Sequence, residues 1–212
     1  MENRTIRKAA PGEFAFDISG GALCLDFVNT VDARATERRR ERLESYTDLV
    51  AWGRQAGALT SGEAAQLVRA AARRQAAARA MLRSARTVRE SLFRVFQASV
   101  EGRAPSAEDL VAFNTAAGTA FAHLGVRPAG SRFAWDWGED AAGELGRVLW
   151  PVLRSAGELL TAPELERVRE CAAPTCSWLF LDRSKNGSRR WCNMKVCGNR
   201  AKAQRFYRRS LA

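Results

Sequence analysis

Four cysteines in the last fifth of the chain stand in two matched pairs: Cys171 and Cys176, then Cys192 and Cys197, with four residues inside each pair and fifteen between them. Two tight turns so spaced can bring four sulfurs to one point. Zn²⁺ suits such a set, because its structural sites are closed tetrahedral shells of thiolate or imidazole. An iron–sulfur cluster and a thiol redox switch are the other chemistries open to four thiols. Each zinc ligand must lose its proton, which neighbouring guanidinium groups favour. A shell of sulfur alone carries a formal charge of about −2 with the metal counted, so basic neighbours also screen it.

Those neighbours are present. The whole chain of 212 residues carries a formal charge of +11, yet ten of its Lys and Arg residues and only one acid, Asp182, fall from Cys171 onward. A concentrated positive patch attracts polyanions, and nucleic acid is the commonest of these in a cytosol. Beyond Cys197, Gly198 is expected to take an unusual backbone angle and Asn199 to cap a helix over AKAQRFYRR. Ala203, Phe206 and Tyr207 fall on one face of that helix, with Lys202, Arg205, Arg208 and Arg209 opposite. These cations with Arg200, supported by Arg189 and Arg190, are the candidate phosphate contacts. A solvated basic tail and a module that holds another protein or RNA remain the alternatives.

Elements must position these groups. SWLFLD reads as a strand, RSKNGS contains an Asn-Gly turn and RRWC reads as the returning strand, giving a zinc ribbon or treble clef over 166–212 with Trp178, Phe180, Trp191 and Phe206 as a miniature core. Residues 1–12 show no apolar periodicity and are expected to be flexible. Residues 13–165 form an α+β domain, mainly helical, with a short β-hairpin. Its first element, ALCLDFVNTV, is a buried helix after a Gly-Gly turn, or a strand. DARATERRRERLESY is a charged connection. A helix through Leu43, Tyr46, Leu49, Val50 and Trp52 ends near Gly57; a capping box at Thr60 and Glu63 opens a long helix with Ala64, Leu67, Val68, Ala71, Ala78 and Leu82 on one stripe. Ala85 to Val100 continues it or starts a partner. Pro105, Ser106 and Asp109 open another helix, with Leu110, Phe113, Ala117, Ala120 and Phe121 inward. Phe133, Trp135 and Trp137 alternate on one face of a hairpin, and from Asp140 a helix runs to Leu160, bent at Pro151.

The remaining chemistry is sparse. Cys24 sits among apolar residues as a buried thiol or a redox sensor. His123 is the one histidine, so a Ser-His-Asp or Cys-His device has a single candidate base, and no convergent titratable set suggests an enzyme. Asp26 and Asn29 either face a ligand pocket or are tied to the backbone, and Trp135, Trp137 and Trp150 either line a cavity for a small-molecule effector or pack the core. No apolar run is long enough to span a bilayer, and the first residues lack a secretory pattern, so a cytoplasmic, nucleoid-associated protein without membrane contact is expected.

With these residues in view, the C-terminus resembles the CGNR zinc finger, named for the residues that stand here as Cys197, Gly198, Asn199 and Arg200. GGALCLDFVNTV, YTDLVAW and VLWPVLRSAGELL resemble, in order, the ABATE domain that usually precedes that finger. The family is regarded as bacterial stress-induced transcription regulators. The resemblance implies a DNA-binding finger on a domain that senses a signal or forms a homodimer, with Cys171, Cys176, Cys192 and Cys197 as zinc ligands.

Overall fold

The computed structural model describes residues 8–9, 12–34, 36–138 and 143–210, with backbone alone for 204–206 and 208–210. Most of the segment 1–12, expected to be flexible, lies outside the described residues. Among the described residues helices dominate, and the strands form three antiparallel pairs. This is the mainly helical α+β class expected, with a four-cysteine finger at its end.

The short helix α1 (Leu23–Val28) sits at the centre with Cys24 to Val28 all buried. It follows Gly20 and Gly21; the Gly20 N–H donates to Asp26 Oδ1 at 2.7 Å, and a Cβ on Gly20 would stand 3.0 Å from the Asp26 nitrogen. A side chain there would drive into the helix backbone. Two-residue strands β1 (Val31–Asp32) and β2 (Arg40–Glu41) pair inside the stretch read as a charged connection. Apolar periodicity could not reveal them, because ion pairs order this segment. Arg89, 1% exposed on a helix, donates to both Glu41 oxygens at 2.7 and 2.6 Å and to Thr30 Oγ1 at 3.1 Å, while Arg34 pairs with Glu90 and Arg42 with Asp32.

Helix α2 (Tyr46–Gln55) opens with a reciprocal Ser45–Asp48 capping box, and α3 (Ser61–Arg73) with the Thr60–Glu63 box expected. The expected long helix breaks at Arg74, where φ is −127° and ψ 51°, and α4 (Gln75–Val100) continues in a new direction. A straight helix through both would run about 60 Å. Breaking lets Leu67 and Ala71 on one side, and Ala78 and Leu82 on the other, reach the same core. Helix α5 (Ala107–Phe121), capped by Ser106, buries Phe113, Ala117 and Ala120, but Leu110 and Phe121 are 36% and 41% exposed, contrary to the inward stripe expected.

Strands β3 (Gly125–Ala129) and β4 (Arg132–Asp136) make the expected hairpin around Gly130 at φ +63°. Its side chains are mostly open to solvent, with Phe133 at 76%, so the aromatic alternation marks a hairpin without marking a core. The expected start at Asp140 lies outside the described residues. A 3-10 turn over Leu145–Val148 precedes α6 (Trp150–Leu160), and Pro151 lies in the first helical turn rather than bending a continuous helix. There its missing N–H has no partner to lose.

After a 3-10 turn at Pro163–Arg167, strand β5 (Val168–Glu170) pairs with β6 (Leu179–Leu181). The expected partner of β6 was RRWC, which forms no strand. Asp182 explains the difference: its carboxylate accepts from the Ser184 nitrogen at 2.8 Å and the Arg189 nitrogen at 2.9 Å, closing residues 183–188 into a loop. In β6, Leu179 and Leu181 enter the helical core while Phe180 faces the cysteines, the two-residue period joining both cores. A single π turn, Met194–Gly198, leads into α7 (Asn199–Ser210).

Candidate metal centre and basic helix

The hairpin β5–β6 encloses the first cysteine pair. The Cys171 nitrogen donates to Trp178 O at 2.8 Å, the Cys176 nitrogen to Ala173 O at 3.0 Å, and Ser177 takes φ +56° to turn the chain back. Of the second pair, Cys192 precedes the π turn and Cys197 lies within it. Asn193 holds it, accepting from the Lys195 nitrogen through its side chain and from the Cys197 and Gly198 nitrogens through its carbonyl. The capping role expected of Asn199 therefore belongs to Asn193, while Asn199 is already helical and donates to Lys195 O. Gly198 does not take the unusual angle expected; a Cβ there would meet the Met194 sulfur at 2.3 Å, the end of a half-exposed side chain that can move aside.

All four cysteines are buried, and their sulfurs lie within 4.8 Å of one another. Cys176 and Cys192 are 3.6 Å apart through Sγ, and Cys192 and Cys197 3.7 Å. A tetrahedron of thiolates around zinc has sulfur–sulfur edges of about 3.8 Å, from a bond of about 2.3 Å. The donor set fits Zn²⁺. Without a cation, four thiols this close cannot all ionise, because like charges at this distance repel. Hydrogen bonds from Cys176 and Cys192 draw the Cys171 thiol far below its ordinary value, making those bonds keeps Cys176 and Cys192 protonated, and burial beside the Cys171 charge raises Cys197. A dication reverses that preference. Bound zinc is redox-inert and would serve as a cross-link tying the start of α7, through Cys197, to the β5–β6 hairpin, while Asn193, Asp182 and Arg189 shape the loops that carry the cysteines.

Arg189 is engaged inside the finger. Its guanidinium lies 4.4 Å from the Phe180 ring centre and donates to Trp191 O at 2.9 Å, Ser19 O at 3.2 Å and Cys192 O. It braces the second cysteine pair, so its expected role as a phosphate contact is not the one its geometry favours. Arg190 is exposed over the Trp191 ring, Lys202 is exposed, and Arg200, also exposed, reaches Thr175 Oγ1 at 3.3 Å. Arg205, Arg208 and Arg209 lie on the backbone of α7, and their side chains are outside the described residues, as is that of Phe206. Trp178 and Trp191 pack on the cysteine cluster with Phe180.

The other candidates separate. Burial pushes the Cys24 thiol up to about 12, the behaviour of an inert core thiol. His123 stacks on Trp150 at 4.3 Å. Trp137 packs on Trp150 at 5.7 Å and Trp135 lies beneath Arg154, so this trio belongs to the hairpin and α6, away from Asp26 and Asn29. Asp26 and Asn29 border a cleft facing the finger. Sequence reasoning missed the two-way bond between Asn29 and the Leu179 backbone, at 2.8 and 2.9 Å, and the Trp178 indole donating to Val31 O at 2.9 Å. Neither leaves a periodic signal, since each joins residues about 150 positions apart.

Two family models match the chain. One, ABATE, described as "Putative stress-induced transcription regulator", covers residues 21–163; the other, the CGNR zinc finger, covers residues 167–210. A comparison with curated proteins returns no match. Among the described residues no helix is long and apolar enough to cross a membrane.

Proposed function

From the premise that this chain belongs to the ABATE family and ends in a CGNR zinc finger, we propose that it is a transcription regulator that binds duplex DNA through that finger. The single observation that carries the reading is the junction at Cys197. The fourth sulfur donor sits in the π turn from which α7 departs, and the exposed cations Arg200 and Lys202 follow within five residues. A metal cross-link at that point holds the start of a basic helix at a fixed angle, and Arg205, Arg208 and Arg209 extend the positive charge along it. Phosphate contacts position such a helix, and a groove can admit it. Arg190 supports from the preceding loop. The protein acts as a binding device without catalysis, at the nucleoid, and residues 13–165 carry its response to a signal or its pairing with a second copy.

A second reading is favoured by Met194, Val196 and Tyr207, which are 48%, 47% and 67% exposed beside those cations. Apolar groups so placed suit a protein partner, or stacking on unpaired RNA bases. Filter binding of the zinc-loaded chain to duplex DNA and to a structured RNA of equal length, at one salt concentration, separates the two. Tighter binding to duplex DNA supports the regulator reading, and tighter binding to RNA refutes it.

A further inference from the structure

The β3–β4 hairpin stands outside both apolar cores. All of β3 is exposed, and among the described residues the sheet ends at its two strands. Cross-strand partners share a face, so Val126 with Trp135 and Pro128 with Phe133 make one side of the hairpin wholly apolar. Val126 is 65% exposed, Phe133 76% and Trp135 49%. A lone two-stranded hairpin is marginal in water, and further strands with an apolar face are what stabilise one.

Its two open edges differ. Ala129 and Arg132 close the two-residue loop as a hydrogen-bonded pair, so alternation points the backbone groups of Val126 and Pro128 outward from β3, and those of Phe133 and Trp135 outward from β4. Pro128 has no N–H to give, which interrupts the β3 edge. β4 has no proline, bulge or lysine, the devices that ordinarily blunt an edge. Its sequence, RFAWD, is also its own complement when run antiparallel about Ala134. Arg132 then lies opposite the second copy's Asp136, and Phe133 opposite the second copy's Trp135. Phe133 and Trp135 are the residues with outward backbone groups, so in this register the facing pair can exchange both hydrogen bonds. Asp136 takes Arg127 of its own hairpin at 3.4 Å, and a second guanidinium across the joint would bracket it. GVRPA run against itself about Arg127 would instead set like charges face to face.

We propose that the chain pairs with a second copy through β4, with Ala134 on the twofold axis, so that two hairpins become one antiparallel sheet. Phe133 and Trp135 of both copies stack across the joint on one face, and the Arg132–Asp136 pairs lie on the other. Pairing with a second copy is one role of residues 13–165 in the regulator reading, and the use made of the dimer rests on that reading; association itself needs no DNA.

The test is sedimentation velocity of the zinc-loaded full chain without DNA. One short strand a side makes a small interface, so a dissociation constant of about 10 to 100 µM is expected. Arg132→Asp and Asp136→Arg, each alone, place like charges opposite one another at both ends of the joint and weaken self-association about tenfold. Mixed in equal amounts, the two variants restore opposite charges at both ends and recover the affinity of the parent chain. Ala134→Cys, with its Cα about 4.5 Å from its mate, is expected to form an intermolecular disulfide in oxidised glutathione above the level of the parent chain. Arg132→Cys, roughly 14 Å from its mate, is not. None of these positions belongs to either core, so the fold does not depend on them. A chain that stays monomeric to about 300 µM overturns the proposal, whatever other protein the edge then receives. So do charge variants that associate like the parent, a mixture no tighter than its components, or equal cross-linking at positions 132 and 134. If the chain pairs as described but binds no duplex, the interface stands and the regulator reading fails; if it binds duplex while remaining monomeric, the reverse holds.

Discussion

Asn29 at the end of α1 grips Leu179 in β6 from both sides: its carboxamide nitrogen donates to the Leu179 carbonyl at 2.8 Å, and its oxygen accepts from the Leu179 N–H at 2.9 Å. Leu179 is fully buried, so no water replaces these bonds when Asn29 is shortened. One side chain thereby completes the free edge of the finger's hairpin with the central helix of the other region. Asn29→Ala is expected to destabilise the chain by about 3 kcal/mol, two buried backbone groups being left unpaired. Urea denaturation measures the loss; a change under about 0.5 kcal/mol would refute the grip.

The cysteine cluster makes a sharper demand. Purified chain is expected to hold one zinc, and Cys→Ser at any of positions 171, 176, 192 or 197 to abolish its stoichiometric retention. Because Trp178 and Trp191 pack on the cluster while the helical core is built from other side chains, near-ultraviolet circular dichroism should change on chelation and the helical signal should largely persist. Elemental analysis of the four variants is the check. A variant that keeps a full zinc complement removes its cysteine from the ligand set.

The charged stretch between α1 and α2 provides a test of stability against pH. Burial alone would raise the Glu41 carboxyl, but hydrogen bonds and charge from Arg89 hold it below its ordinary value. Its folded pKa is thus lower than its unfolded one, so its contribution is full above the ordinary carboxylate range and is lost as pH falls through the folded value. Glu41→Gln removes one of the two carboxylates that pair with the buried Arg89, Glu90 remaining at 3.0 Å, and should cost about 1 to 2 kcal/mol at neutral pH. The difference from the parent chain should shrink in acid. A constant difference across that range would show that Glu41 contributes by packing alone.

The elements that sequence disclosed are those written in local code. The Thr60–Glu63 and Ser106 caps, the two-residue turn at Gly130 and the spacing of the four cysteines each depend on residues close in the chain. What it hid depends on distant partners. The pairing of β1 with β2 rests on Arg89, far along α4; β6 took β5 in place of RRWC because Asp182 bent the intervening loop; the helix breaks at Arg74 because a single core has to be reached from both sides. Arg189 is the most instructive candidate. Its position in a basic run suggested a phosphate contact, yet its bonds to Trp191, Cys192 and Ser19 carbonyls turn it inward. A charge count cannot distinguish a brace from an exposed cation.

The central claim, that a zinc-held basic helix binds DNA through its phosphates, is tested most directly by fluorescence anisotropy of a labelled duplex at rising salt, with and without chelator. If about five phosphates are engaged, the plot of log affinity against log salt should have a slope of about −4 to −5. Chelation should weaken the complex by an order of magnitude or more. A slope near zero, or an affinity indifferent to removal of the metal, would contradict the account.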